Sequence, residues 1–75
     1  MLYLEDHITE KDLTFDFTPE FEEDKVTGVT VTVYEGRLEA GELDEAEPFS
    51  IVSLDVEGWA TLLSWVRAVL EAKKL

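Results

Sequence analysis

His7 is the only histidine, and Ser50, Ser53 and Ser64 are the only serines. A nucleophile–base pair needs a hydroxyl or thiol held against a base. None of these residues stands in a strained, glycine-flanked turn, so no acyl-transfer centre is expected. Cysteine is absent, which removes disulfides, zinc–thiolate sites and cysteine nucleophiles together. Carboxylates are abundant, with 18 Asp and Glu. Paired carboxylates can act as general acid and base, as in glycoside hydrolysis. In so acidic a chain, though, some pair meets any required spacing by composition alone. No D-x-D-x-D-G loop or H-x-x-x-H pair is present, so calcium and zinc lack their ligand spacing. Gly28, Gly36, Gly41 and Gly58 are isolated and form no phosphate cradle. The sequence therefore predicts a non-enzyme with no cofactor and no metal.

The acidic rows are the chemistry that stands out. In an extended segment, residues i and i+2 point the same way about 6.7 Å apart. Glu20, Glu22 and Asp24 form such a row if extended, with Glu23 beside them. Glu10 with Asp12, Glu42 with Asp44, and Glu45 with Glu47 form shorter ones. Regularly spaced carboxylates resemble a phosphate backbone in charge and rough spacing, which a basic groove could accept. Phe21, flanked by Glu20, Glu22 and Glu23, reads as an apolar anchor inside an acidic rim. Tyr3, Tyr34 and Trp65 join it as candidate exposed aromatics, and tryptophan is enriched at interface hot spots. The competing reading is a solvated acidic coat.

The elements that must position these residues follow from periodicity. Val29, Val31 and Val33 alternate with Thr30, Thr32 and Tyr34; Leu13, Phe15 and Phe17 alternate with Thr14, Asp16 and Thr18. Both are period-2 patterns of strand formers. Leu2 and Leu4 suggest a weaker strand, Phe49 to Leu54 a well-covered one, and Leu38 with Ala40 a further one after Glu35-Gly36. Pro19 and the run Glu20 to Asp24 read as the separator between the second strand and the valine strand. The C-terminal segment reads as one helix with Asp55 as N-cap, Glu57 in its first turn, and Lys73 and Lys74 at its far end. At about 100° per residue, its apolar arc including Trp65 spans about 160°, wider than a core-facing helix needs. The expected fold is α+β: an antiparallel sheet of four to five strands with one C-terminal amphipathic helix on one face, forming a single domain over residues 1–75. Phe15, Phe17, Val29, Val31, Val33, Ile51, Trp59, Leu62, Leu63, Val66 and Leu70 are the expected core.

Charge is distributed unevenly. Lys and Arg number 6 against 18 acids, for a formal −12. Residues 1–24 hold nine acids and Lys11, for −8; residues 25–54 hold six acids, Lys25 and Arg37, for −4. Residues 55–75 balance Asp55, Glu57 and Glu71 against Arg67, Lys73 and Lys74. A chain that repels phosphate gains nothing from releasing DNA's counterions, so direct nucleic-acid binding is not expected. The N-terminus lacks the basic start of a signal peptide, and Trp59 to Leu70 is too short and interrupted to cross a bilayer, so a cytoplasmic protein is expected. The absence of Asn, Gln and Cys agrees with selection against thermolabile side chains or with chance.

The run Phe49 to Leu70, a strand, an acidic turn and a Trp-bearing helix, loosely resembles the closing half of the single-stranded-DNA-binding transcriptional coactivator family. It covers about a third of the chain. That family presents basic strands to DNA, and these strands are acidic, so the resemblance does not transfer its activity. In size and charge the chain also resembles phage-encoded anti-defence inhibitors and DNA mimics. The function expected is a small acidic protein-binding module, an inhibitor that mimics nucleic acid and occupies a partner's basic surface. Its expected binding residues are Glu20, Phe21, Glu22, Glu23, Asp24, Glu42, Asp44, Glu45, Glu47 and Trp65. The alternative is a homodimeric structural or accessory subunit whose acidity only confers solubility.

Overall fold

The structure, a computed structural model, describes residues 1–72; Lys73 and Lys74, expected at the helix end, lie outside the described residues. Four strands are followed by one helix: β1 (Leu2–Glu5), β2 (Asp12–Glu22), β3 (Lys25–Glu35), β4 (Ser50–Asp55) and α1 (Val56–Ala72). The strands form one antiparallel meander in the order β1-β2-β3-β4. The α+β fold read from the sequence is therefore the observed one, with four strands.

The alternating valines and phenylalanines do what their period requires. Phe15 pairs with Leu2 and Val33, Phe17 with Val31, and Val31 in turn with Val52. Directly paired residues share a face. One face therefore gathers Leu2, Leu4, Leu13, Phe15, Phe17, Val29, Val31, Val33, Val52 and Leu54. The other gathers Tyr3, Thr14, Asp16, Thr18, Glu20, Thr30, Thr32, Tyr34, Ile51, Ser53 and Asp55.

Three expectations need correcting. Pro19 does not end β2, which runs on to Glu22. Beyond Phe15 the strand has no β1 neighbour, and an edge tolerates a residue without an N–H. Leu38 and Ala40 form no strand; a short 3₁₀ turn, Ala40–Glu42, stands there, with the Glu42 carboxylate accepting the Glu39 N–H at 3.0 Å. The core is also far smaller than expected. Among the described residues only Val31 and Tyr34 are buried apolar side chains, while Phe17, Leu62, Leu63, Val66 and Leu70 are exposed. Ile51, 60 % exposed, pairs with Thr32 on the face away from the helix. The reason is geometric: α1 lies against β3 and β4 alone, so β1, β2 and most of the helix have no facing layer.

The helix starts as read. Asp55 Oδ1 accepts the Gly58 N–H at 2.7 Å, satisfying one of the free donors of the first turn. Trp59 Nε1 donates to the Val29 carbonyl at 2.8 Å, tying the helix to β3. Gly28 allows the close approach beneath: a Cβ there would stand 2.7 Å from the Leu54 carbonyl oxygen.

Candidate functional site

The acidic residues singled out by sequence fall into two groups and a remainder. Glu20 and Glu22 lie on β2 and point to the same face, while Glu23 and Asp24 form the two-residue turn that closes the β2–β3 hairpin. Glu23 adopts a left-handed conformation there, with φ 57°. The extended row thus contains Glu20 and Glu22 but stops before Asp24. A bulge at Thr27 shifts the register between Glu20 and Phe21, which increases local twist at the hairpin tip. Strand alternation turns Phe21 to the face opposite Glu20 and Glu22, where it pairs with Val26 and is 63 % exposed. It belongs to the apolar side of the sheet, not to an acidic rim.

Glu42, Asp44, Glu45 and Glu47 lie in the β3–β4 connection, at the other end of the sheet. The 11 residues of β3 separate the groups by about 35 Å at 3.3 Å per residue. This connection is held by its backbone to the first turn of β2. The Thr14 hydroxyl donates to the Gly36 carbonyl at 2.7 Å and accepts the Leu38 N–H at 3.1 Å, and Gly36 N–H donates to the Asp12 carbonyl. Arg37 sits 5.0 Å from the centroid of the Tyr3 ring. Desolvation pushes the Tyr3 phenol above its ordinary pKa, Asp12 and Glu5 add to the rise, and Arg37 opposes it. Trp65 stands apart from both acidic groups, on α1.

The structure brings together a set that the acidic rows did not name. Asp16, Glu20 and Glu22 follow one another along β2 on the face away from the helix. Asp55 stands at the border of that face by register, opposite Gly28, the partner of Glu20, with its Oδ1 turned to the Gly58 N–H at the start of α1. Between them lie Thr18, Thr30, Thr32 and Ser53. The Thr30 hydroxyl donates to Glu20 Oε1 at 2.9 Å and shares a short hydrogen bond with the Ser53 hydroxyl, which fixes the Glu20 carboxylate over the sheet. Lys25, opposite Glu22 at the tip, and Arg37, over the Tyr3 ring toward the other end, are bases on this face. The signal for Asp16 was present in the sequence: it alternates with Phe15 and Phe17. The signal for Asp55 was not, because register across β3 and β4 is needed to place it.

His7 lies in the β1–β2 connection, next to a turn organised by Asp6. Asp6 accepts the Thr9 hydroxyl and the Ile8 N–H, and those bonds, the Thr9 hydroxyl first, hold its carboxyl below the usual carboxylate range. Among the described residues no group of three or more His, Asp and Glu converges as a metal site. No helix among them is long and apolar enough to cross a membrane. Set against protein-family models, curated proteins and solved structures, the chain matches none.

Proposed function

We propose that the chain is an acidic protein-binding module whose hydroxyl-and-carboxylate sheet face occupies a basic site on a partner, one that otherwise holds nucleic acid. The observation that supports this reading is the alignment of Asp16, Glu20 and Glu22 along one strand, interleaved with hydroxyls from β2, β3 and β4. A flat row of anions with hydrogen-bonding groups between them offers a basic groove the two features it meets on a phosphate–sugar backbone: spaced negative charge and neutral donors. Steering by net charge speeds the encounter, and specificity comes from the fixed carboxylates. Inhibition of the partner is part of the proposal, and catalysis by this chain is not.

The test pairs the wild-type chain with the Asp16→Asn, Glu20→Gln, Glu22→Gln variant in capture from the native host. The reading expects a partner that wild type retains, that duplex DNA displaces, and that the neutral variant releases. Binding should weaken with salt, since exposed charges are screened beyond about 8 Å at physiological ionic strength. A partner held equally by both chains and indifferent to DNA overturns it.

A further inference from the structure

Helix α1 carries two apolar flanks, and its own sheet can cover only one. Trp59 and Leu63 face Phe17, Val29 and Val31 across an apolar groove. Leu62, Val69 and Trp65 lie about 60° to 120° round the helix from Trp59, turned away from that contact. Val66 and Leu70 share Trp59's side but lie two and three turns further along, where α1 has no strand beside it. Trp65 is 70 % exposed and Leu70 60 %. The sheet beneath is equally open, with Leu2, Leu4 and Phe17 all exposed. Where helix and sheet meet, Phe17, Val29, Val31, Trp59 and Leu63 line a groove of about 270 Å³, larger than the roughly 150 Å³ cavity that holds a benzene ring.

The excess of open surface sets an upper bound on the missing contact. The accessible surface is 6314 Å². A compact monomer of 8.5 kDa exposes about 4,650 Å². The surplus, roughly 1,700 Å², is about twice what one partner contributes to a standard interface and falls in the range of obligate homodimers. The radius of gyration agrees: 14.5 Å, against about 11 Å for a compact chain of this length.

Charge selects the occupant. The first 54 residues carry the whole −12, while residues 55–75 sum to zero. Two copies of so acidic a body repel each other least at this apolar side, where the described part of α1 carries Glu57 and Glu71 against Arg67, and a basic partner would find little counter-charge there. We propose that a second copy of this chain covers the exposed flank of α1 and the open sheet beside it, as a two-fold dimer with both hydroxyl-and-carboxylate faces outward. A two-fold contact uses the same patch on both copies, which a continuous apolar helix flank and sheet face can satisfy. The inference rests on the apolar side alone and stands apart from the acidic-face reading.

Sedimentation velocity and thermal melting over about 1 to 200 µM chain test it. The expected result is a dimer whose association tightens as salt screens the mutual repulsion, the opposite of the salt trend for an acidic face on a basic partner. The wild-type melting midpoint should rise with concentration. Trp65→Glu and Leu70→Glu change side chains already exposed in a single chain, and each should weaken dimerisation at least tenfold. Ser64→Glu, on the polar side of α1, should leave it unchanged. A monomer throughout the range with a concentration-independent midpoint overturns the proposal, as does a dimer that tolerates both apolar substitutions. Binding of the monomer to zwitterionic lipid vesicles would also overturn it, giving the face to a lipid surface.

Discussion

Thr14, 1 % exposed, is the most buried side chain among the described residues, and it is polar. Its hydroxyl is used twice, toward the Gly36 carbonyl and from the Leu38 N–H, so one oxygen anchors the connection that carries Glu42, Asp44, Glu45 and Glu47. Valine has nearly the same shape and neither hydrogen-bonding function. Thr14→Val should therefore strand two backbone groups at a part-buried position, each worth about 1–3 kcal/mol when left unsatisfied. The expected loss is about 2–3 kcal/mol by urea denaturation, with Thr14→Ser retaining most of the stability. A loss under about 0.5 kcal/mol would mean that water serves the Gly36 and Leu38 groups instead.

At the scale of elements, the junction of β3, β4 and α1 decides where the helix goes. Gly28 lets β4 run close enough for Asp55 to cap α1 and for Trp59 to reach the Val29 carbonyl. Gly28→Ala would place a Cβ 2.7 Å from the Leu54 carbonyl oxygen and 3.2 Å from the Asp55 Cα, both backbone atoms that cannot rotate aside. Overpacking of this kind costs about 1–3 kcal/mol. The loss should appear in urea denaturation together with an altered near-ultraviolet signal from Trp59. Gly41→Ala, with nothing within 4 Å of its added Cβ, serves as the control. The elements were legible because each had a local cause: period 2 in β2 and β3, an Asp before the helix, a Gly after Glu35. What was not legible depended on partners distant in sequence. Pro19 read as a breaker because nothing local reveals that β1 ends before reaching it. Leu38 and Ala40 read as a strand because the hydroxyl that captures their segment belongs to Thr14. Helix burial was overestimated because an apolar arc records that a face wants covering, not that its own sheet is what covers it. The candidate site was legible to the same extent. Glu20 and Glu22 were correctly placed side by side, whereas Phe21 was assigned to their rim although strand alternation turns it away.

The whole molecule is a plate, 43 × 39 × 14 Å, with opposite chemistry on its two sides. That geometry sharpens the question of nucleic acid, because the strand-and-helix run Phe49 to Leu70 resembles part of a family that presents strands to single-stranded DNA. Here the strand face free of the helix bears Asp16, Glu20 and Glu22, with Lys25 and Arg37 at its two ends to meet a phosphate. Phosphate contacts by Lys and Arg supply the salt-dependent part of binding, and their contribution grows as salt falls. On this chain the same term is repulsive. A second term does not depend on charge: bases stack on exposed aromatic rings for about 1–3 kcal/mol each. Phe17, Phe21, Phe49 and Trp65 are such rings, but Trp65 lies on α1, Phe49 stands near the opposite end of the sheet from Phe21, and Phe17 and Phe21 are four residues apart on β2, about 13 Å, so no continuous stacking track exists among the described residues. Repulsion should therefore prevent binding at low salt, and the lack of a stacking track should prevent it once salt screens the charges. Fluorescence anisotropy with labelled single-stranded and duplex oligonucleotides should show no binding to about 50 µM chain, at low salt or at about 0.5 M salt where repulsion is screened. Binding that appears only at high salt would show that stacking is latent and charge alone suppresses it. Binding at low salt would mean that the anionic face does not behave as an anion toward DNA, and its role as a stand-in for nucleic acid would fall with it.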